Sequence, residues 1–174
     1  MEPNTLYAYV DADFASTDLD NRKSVTGYCI YFNSGLISWR SGLQKTVSTS
    51  SSEAEYKALH EVSKEVIWLT NILKELGYHN GEPVIILEDN TNTIRLSENS
   101  VASSQLKHID TVHHQIREFI QQGKIAVLHI PTLNQLADIL TKPLQPKTHT
   151  LLFSQLLTIY DDIQSILAYI QSTG

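Results

Sequence analysis

The chain has 174 residues, 41% of them hydrophobic and 18% charged, which is the composition of a single globular domain rather than of a disordered tail. Its formal net charge of −6 has the wrong sign for a free-standing phosphate-binding module, whose affinity would come from Lys and Arg. It contains no apolar run of the roughly 18 residues that cross a bilayer, no secretion signal in MEPNTLYAYV, and a single cysteine, Cys29, so that no internal disulfide can form. These features point to an intracellular setting away from membranes. An acidic balance remains compatible with an enzyme that gathers carboxylates around divalent ions.

Residues 7–14 contain the aromatic and β-branched run YAYV and read as a strand. Residues 18–23 are polar and turn-like. Residues 27–32 and 36–40 read as two further strands joined at Asn33–Ser34–Gly35, a hairpin signal. Residues 45–49 continue or follow the third strand. The polar stretch TVSTSSS then runs into a long amphipathic helix over 53–76, with Leu59, Val62, Val66, Leu69, Leu73 and Leu76 on one stripe and Gly77 after its end. Residues 84–87 follow Pro83 as a continuous apolar run, the pattern of a buried central strand. Helices are expected over 91–98 and 107–122, the second with Ile109, Val112, Ile116 and Phe119 inward. A fifth strand over 125–130, a helix over 134–142 stopped by Pro143 and a final helix over 149–171 complete the chain. Pro143 and Pro146 mark a boundary, giving a domain over 1–146 and a C-terminal helical extension over 147–174.

The early hairpins imply antiparallel pairing, and the later alternation of strands and helices implies parallel crossovers. The expected fold is therefore α/β: a mixed five-stranded sheet, three antiparallel strands and then parallel ones, flanked by helices. Four acids occupy distinctive positions on it. Asp11 lies within the first strand and Asp89 at the end of the buried fourth, where Asp89 or Asn90 also suits the cap of the next helix. Glu55 continues the stripe of Leu59, Val62 and Val66 and so faces the core, whereas Glu53 continues through Lys57, His60 and Lys64 on the solvated side. Ser52 and Glu55 also fit a capping box. Asp138 follows the fifth strand, where taken alone a solvated helical Asp is the simpler reading. If the first and fourth strands are neighbours, all four converge. An oxygen-rich site of this kind suits Mg²⁺ or Mn²⁺, and two such ions about 4 Å apart support in-line phosphodiester cleavage. His108, His113 and His114 do not share one helix face, which argues against a common zinc site.

YVDADFA, RKSVTGY, LISWRS, SSSEAEYKAL, EDN, LKHID, HHQIRE and NQLADILTKPL occur here in order. In this the chain resembles the ribonuclease H domains of copia-type LTR retrotransposon Pol polyproteins, over roughly residues 7–144. The resemblance implies a ribonuclease-H-like fold and a metal-dependent endoribonuclease that hydrolyses the RNA strand of RNA–DNA hybrids. It maps the family's catalytic, metal-binding acids onto Asp11, Glu55, Asp89 and Asp138, with two Mg²⁺ ions or Mn²⁺ in their place. The family pattern favours the first acid of DAD, Asp11, over Asp13, which shares its strand parity. Asp11 and Asp89 would flank both ions, Glu55 would bind one and position the RNA, and Asp138 would bind the other. The implied partners are the hybrid and a reverse transcriptase domain of the same polyprotein. Ser41–Gly42–Leu43–Gln44 and Gln105–Leu106 stand where the family often carries Lys or Arg, and His129 falls in a strand rather than in a loop. Arg22, Lys23, Arg40 and Lys45 remain as phosphate-contact candidates. The alternative is a non-catalytic or degenerate domain that serves a reverse transcriptase structurally.

Overall fold

A computed structural model describes residues 4–15, 22–33, 35–79, 81–98 and 110–157. In chain order it has β1 (Leu6–Asp13), β2 (Val25–Phe32), β3 (Gly35–Leu43), α1 (Ser51–Glu75), β4 (Val84–Glu88), α2 (Thr91–Glu98), α3 (Asp110–Gln121) and β5 (Ile125–His129). Two 3-10 turns, Thr132–Asn134 and Leu136–Leu140, and α4 (Pro146–Leu157) follow. The turn expected over 18–23 is described only in part. The expected helix start at 107–109, His108 and everything beyond 157 lie outside the described residues. No described helix is long and apolar enough to cross a membrane.

The sheet order is β3-β2-β1-β4-β5. β1 pairs antiparallel with β2, and β2 with β3, while β1–β4 and β4–β5 are parallel. The mixed five-stranded sheet is therefore as the sequence implies, and β1 and β4 are neighbours. Alternate residues feed two cores. Ala8, Val10, Ile30 and Ile86 pack under Leu59, Val62 and Val66 of α1. Tyr7, Tyr9, Cys29, Tyr31 and Leu87 pack under Leu136, Leu152 and Leu156 on the opposite face. The Tyr31 hydroxyl donates to the Leu156 carbonyl at 3.0 Å and ties α4 to that face.

Two expectations are corrected. The cap of α1 is Ser50, whose hydroxyl accepts from the Glu53 backbone N–H at 3.2 Å, and not Ser52. Glu53 is consequently buried rather than solvated. Its carboxylate accepts from the Thr49 backbone N–H (2.8 Å) and hydroxyl (2.6 Å) and pairs with Lys57 at 2.8 Å. This local capping frees Glu55 from the box. The approach to α1 is further braced by buried Gln44, whose amide donates to Thr26 Oγ1 and to the Ala54 carbonyl.

The helix expected over 134–142 is instead two 3-10 turns separated by Gln135, which is extended (φ −76, ψ 98) and fully buried. Its side chain explains the break. The last parallel rung between β1 and β4 is Tyr9↔Leu87, and beyond it the strands part. The Gln135 amide enters there and donates to the Val10 carbonyl (2.9 Å) and the Leu87 carbonyl (3.4 Å). Left unpaired, each buried carbonyl would cost about 1–3 kcal/mol. A regular helix through Gln135 would forfeit this bridge.

Candidate active site

The site forms where β1 and β4 part, between the first turn of α1 and the second 3-10 turn. Asp11 comes from β1, on the face that carries Tyr7 and Tyr9. Its neighbour across the ladder is Gly27 of β2. A methyl group there would lie 2.5 Å from Thr141 Cγ2 and 3.0 Å from Leu140 Cβ, so the missing side chain is what lets the 3-10 turn close over Asp11. Asp89 follows the last residue of β4, and Glu55 reaches in from α1.

Asp11, Glu55 and Asp89 each present a carboxylate oxygen, and these oxygens lie within 4.8 Å of one another. Asp11 and Glu55 are buried and Asp89 is half-buried. Asp138, also buried, joins through a cation: Lys142 Nζ is 2.9 Å from Asp138 Oδ1 and 3.6 Å from Asp11 Oδ2. The Thr141 hydroxyl donates to Asp11 Oδ2. Asp89 is not the helix cap. That role belongs to Asn90, whose Oδ1 accepts from the backbone N–H groups of Asn92 (3.0 Å) and Thr93 (3.2 Å).

Crowding acids in a buried place raises their pKa values, because burial and like charges both disfavour ionisation. Burial, then Glu88, Asp11 and Asp89, push Glu55 up to about 11. Burial, with Asp11 and Asp89, pushes Asp138 up to about 7 against the opposing pull of Lys142. Asp11 is raised by burial, although Lys142 and Thr141 oppose the shift. Burial works against the charge of Lys142, but Asp11 and Asp138 outweigh it and raise its pKa. Glu55 Oε2 and Glu88 Oε2 are buried without a hydrogen-bond partner. Mutually repelling carboxylates with unsatisfied oxygens fit a divalent cation, which would pair the charges and satisfy the oxygens.

Glu88 was missed by sequence reasoning. It is fully buried on the α1 side of the sheet, accepts from the Asn90 backbone N–H at 3.0 Å, and is the charge that acts most strongly on Glu55. Thr141 and Lys142 were missed as well, although both lie in the ADILTKPL segment.

The basic candidates are placed elsewhere. Arg22 and Lys23 precede β2. Arg40 and Lys45 come together with Lys64, Glu61, Glu65 and Tyr28 around a groove of about 340 Å³. Arg40 lies on β3, two strands from Asp11, and pairs with Glu61 at 3.4 Å. His113 is buried with its ring 5.8 Å from that of Tyr56, and His114 is exposed. Among the described residues the acidic trio is the one metal-capable cluster, and it contains no histidine.

No family model matches the chain. It is 49% identical over 137 residues, 79% of its length, to the Retrovirus-related Pol polyprotein from transposon TNT 1-94 of Nicotiana tabacum. It is 44% identical over 140 residues, 80% of its length, to that from transposon RE2 of Arabidopsis thaliana. The chain spans 10% of the length of each of these relatives. Among solved structures it is similar to LC11-RNase H1, isolated from compost, with a TM-score of 0.61 at 17% identity, over 79% of this chain and 93% of that one. The same protein in complex with an RNA/DNA hybrid gives a TM-score of 0.58, also at 17% identity, over 79% of this chain and 94% of that one.

The sheet order, the two-sided helical cover and this structural likeness define a ribonuclease-H-like domain. By sequence the chain is homologous to one segment of copia-type, retrovirus-related Pol polyproteins.

Proposed function

We propose that this domain is a metal-dependent endoribonuclease that hydrolyses the RNA strand of RNA–DNA hybrids during retrotransposon reverse transcription. The observation that carries the reading is the convergence of Asp11, Glu55 and Asp89 within 4.8 Å, with Asp138 linked to Asp11 through Lys142. Asp11, Glu55, Asp89 and Asp138 would hold two Mg²⁺ ions, with Mn²⁺ as a substitute. When bound, such ions activate a water and stabilise the leaving oxygen of an in-line displacement. Asp11 and Asp89 would contribute to holding both ions, Glu55 would serve one and Asp138 the other. The sheet holds Asp11 rigidly, and the Ser50 and Asn90 caps fix the turns that present Glu55 and Asp89. The RNA 2′-hydroxyl is the group by which RNA is told from DNA.

A net charge of −6 supplies little affinity for phosphates. In this reading a reverse transcriptase domain of the same intracellular polyprotein adds it, which is consistent with the chain's spanning only 10% of its relatives. The acidic balance also favours a second reading, a non-catalytic structural partner of that domain. A substrate panel separates the two. Given an RNA–DNA hybrid, an RNA duplex and a DNA duplex in Mg²⁺, the chain should cut the RNA strand of the hybrid and leave both duplexes intact. Equal cutting of all three, or of none, would refute the proposed activity.

A further inference from the structure

Lys142 does more than shield an acid at the protein surface. Its ammonium stands between Asp138 Oδ1 (2.9 Å) and Asp11 Oδ2 (3.6 Å), the two carboxylates that approach each other from opposite ends of the chain. Among the described residues no cation pairs in this way with Glu55 or Asp89. The cluster is therefore asymmetric: one side already holds a protein cation, and the other, formed by Glu55 and Asp89, holds none among the described residues. The Lys142 side chain is 31% exposed, so it has a route out towards solvent.

We propose that Lys142 is a resident cation that holds the Asp11–Asp138 position in the metal-free protein and withdraws when a divalent ion takes that position. This rests on the metal-centre reading above and adds an order to it. The ion served by Glu55 and Asp89 binds first, because Lys142 pairs with neither of them and stands farther from Asp11 (3.6 Å) than from Asp138 (2.9 Å). The ion served by Asp138 binds second, because it must displace an ammonium already paired with the same carboxylates. Removing the ammonium removes the competitor, and the second ion then binds more tightly.

Free Mn²⁺, followed by electron paramagnetic resonance during titration of the purified chain, reads both affinities without any turnover. Wild type should show a tighter and a weaker Mn²⁺. Lys142→Met should tighten the weaker one by about tenfold and change the tighter one much less. Lys142→Arg, which keeps the cation, should preserve the wild-type separation and guards against a packing effect in the Met variant. An unchanged or weakened second affinity in Lys142→Met, with the first ion still bound, would overturn the proposal and leave the metal-centre reading standing. No Mn²⁺ bound by wild type or by either variant would overturn both.

Discussion

Replacing Asp89 with Asn should lower Mg²⁺-dependent cleavage of an RNA–DNA hybrid on the order of 10³-fold or more, since a lost metal ligand forfeits several kcal/mol of transition-state stabilisation. The substitution is informative because Asp89 carries little structural burden. The cap of α2 is Asn90, and the turn before it is held by Glu88, which accepts from the Asn90 backbone N–H. The Asp89 side chain is half-buried and sits beyond the last residue of β4, so an isosteric amide fits without repacking. The fold should survive: circular dichroism should be unchanged and the urea midpoint close to that of wild type. Cleavage within tenfold of wild type, from a folded variant, would remove Asp89 from the site.

The second large effect is a dependence of stability on pH that metal reverses. Asp138 and Glu55 have folded-state pKa values of about 7 and about 11, raised from 3.8 and 4.5. A group whose pKa is raised by folding binds protons more tightly in the native state. Its contribution is therefore present below the unfolded value and is lost as pH rises towards the folded value. For Asp138 that window runs from about 4 to about 7, and for Glu55 it extends through the alkaline range. Glu53, whose pKa is lowered by Lys57 and Thr49 in spite of burial, contributes in the opposite sense, but only at acid pH. The metal-free chain should thus melt at a lower temperature at pH 8 than at pH 5. Saturating Mg²⁺ or Mn²⁺ should stabilise it more at pH 8, because the ion binds the ionised carboxylates. Glu55→Gln should make the metal-free chain more stable than wild type at pH 8 and remove part of the gain from metal. Differential scanning calorimetry at the two pH values, with and without metal, reads these effects. A melting temperature in the absence of metal that is flat or rising from pH 5 to pH 8 would contradict the assigned electrostatics.

Helical phase was enough to separate Glu55 from Glu53, because the stripe through Leu59, Val62 and Val66 is a local property of one long helix. The same phase misjudged Glu53. Its burial depends on a cap two residues earlier than expected and on Lys57 folding back over it, and neither is visible in the apolar stripe. The mixed five-stranded sheet followed from hairpin and crossover logic, but the adjacency of β1 and β4, on which the meeting of Asp11 and Asp89 depends, did not. The surroundings of Asp138 did not follow. They depend on Gln135 leaving the helical path to pair with carbonyls of β1 and β4, a contact across 125 residues to Val10. Lys142 is a plain i,i+4 partner of Asp138 in sequence, and its contact with Asp11 exists only once the chain closes. Glu88 was obscured because strand period alone cannot tell a buried strand end from an open one.

The acids at the parting of β1 and β4 form either a metal centre or only an acidic cluster. Calorimetric titration of the wild-type chain with Mn²⁺, run beside Glu55→Gln at the same pH, tests this most directly. The predicted result is saturable binding by wild type that weakens strongly in the variant. Absence of saturable binding to folded wild type, or equal binding by both proteins, would contradict it.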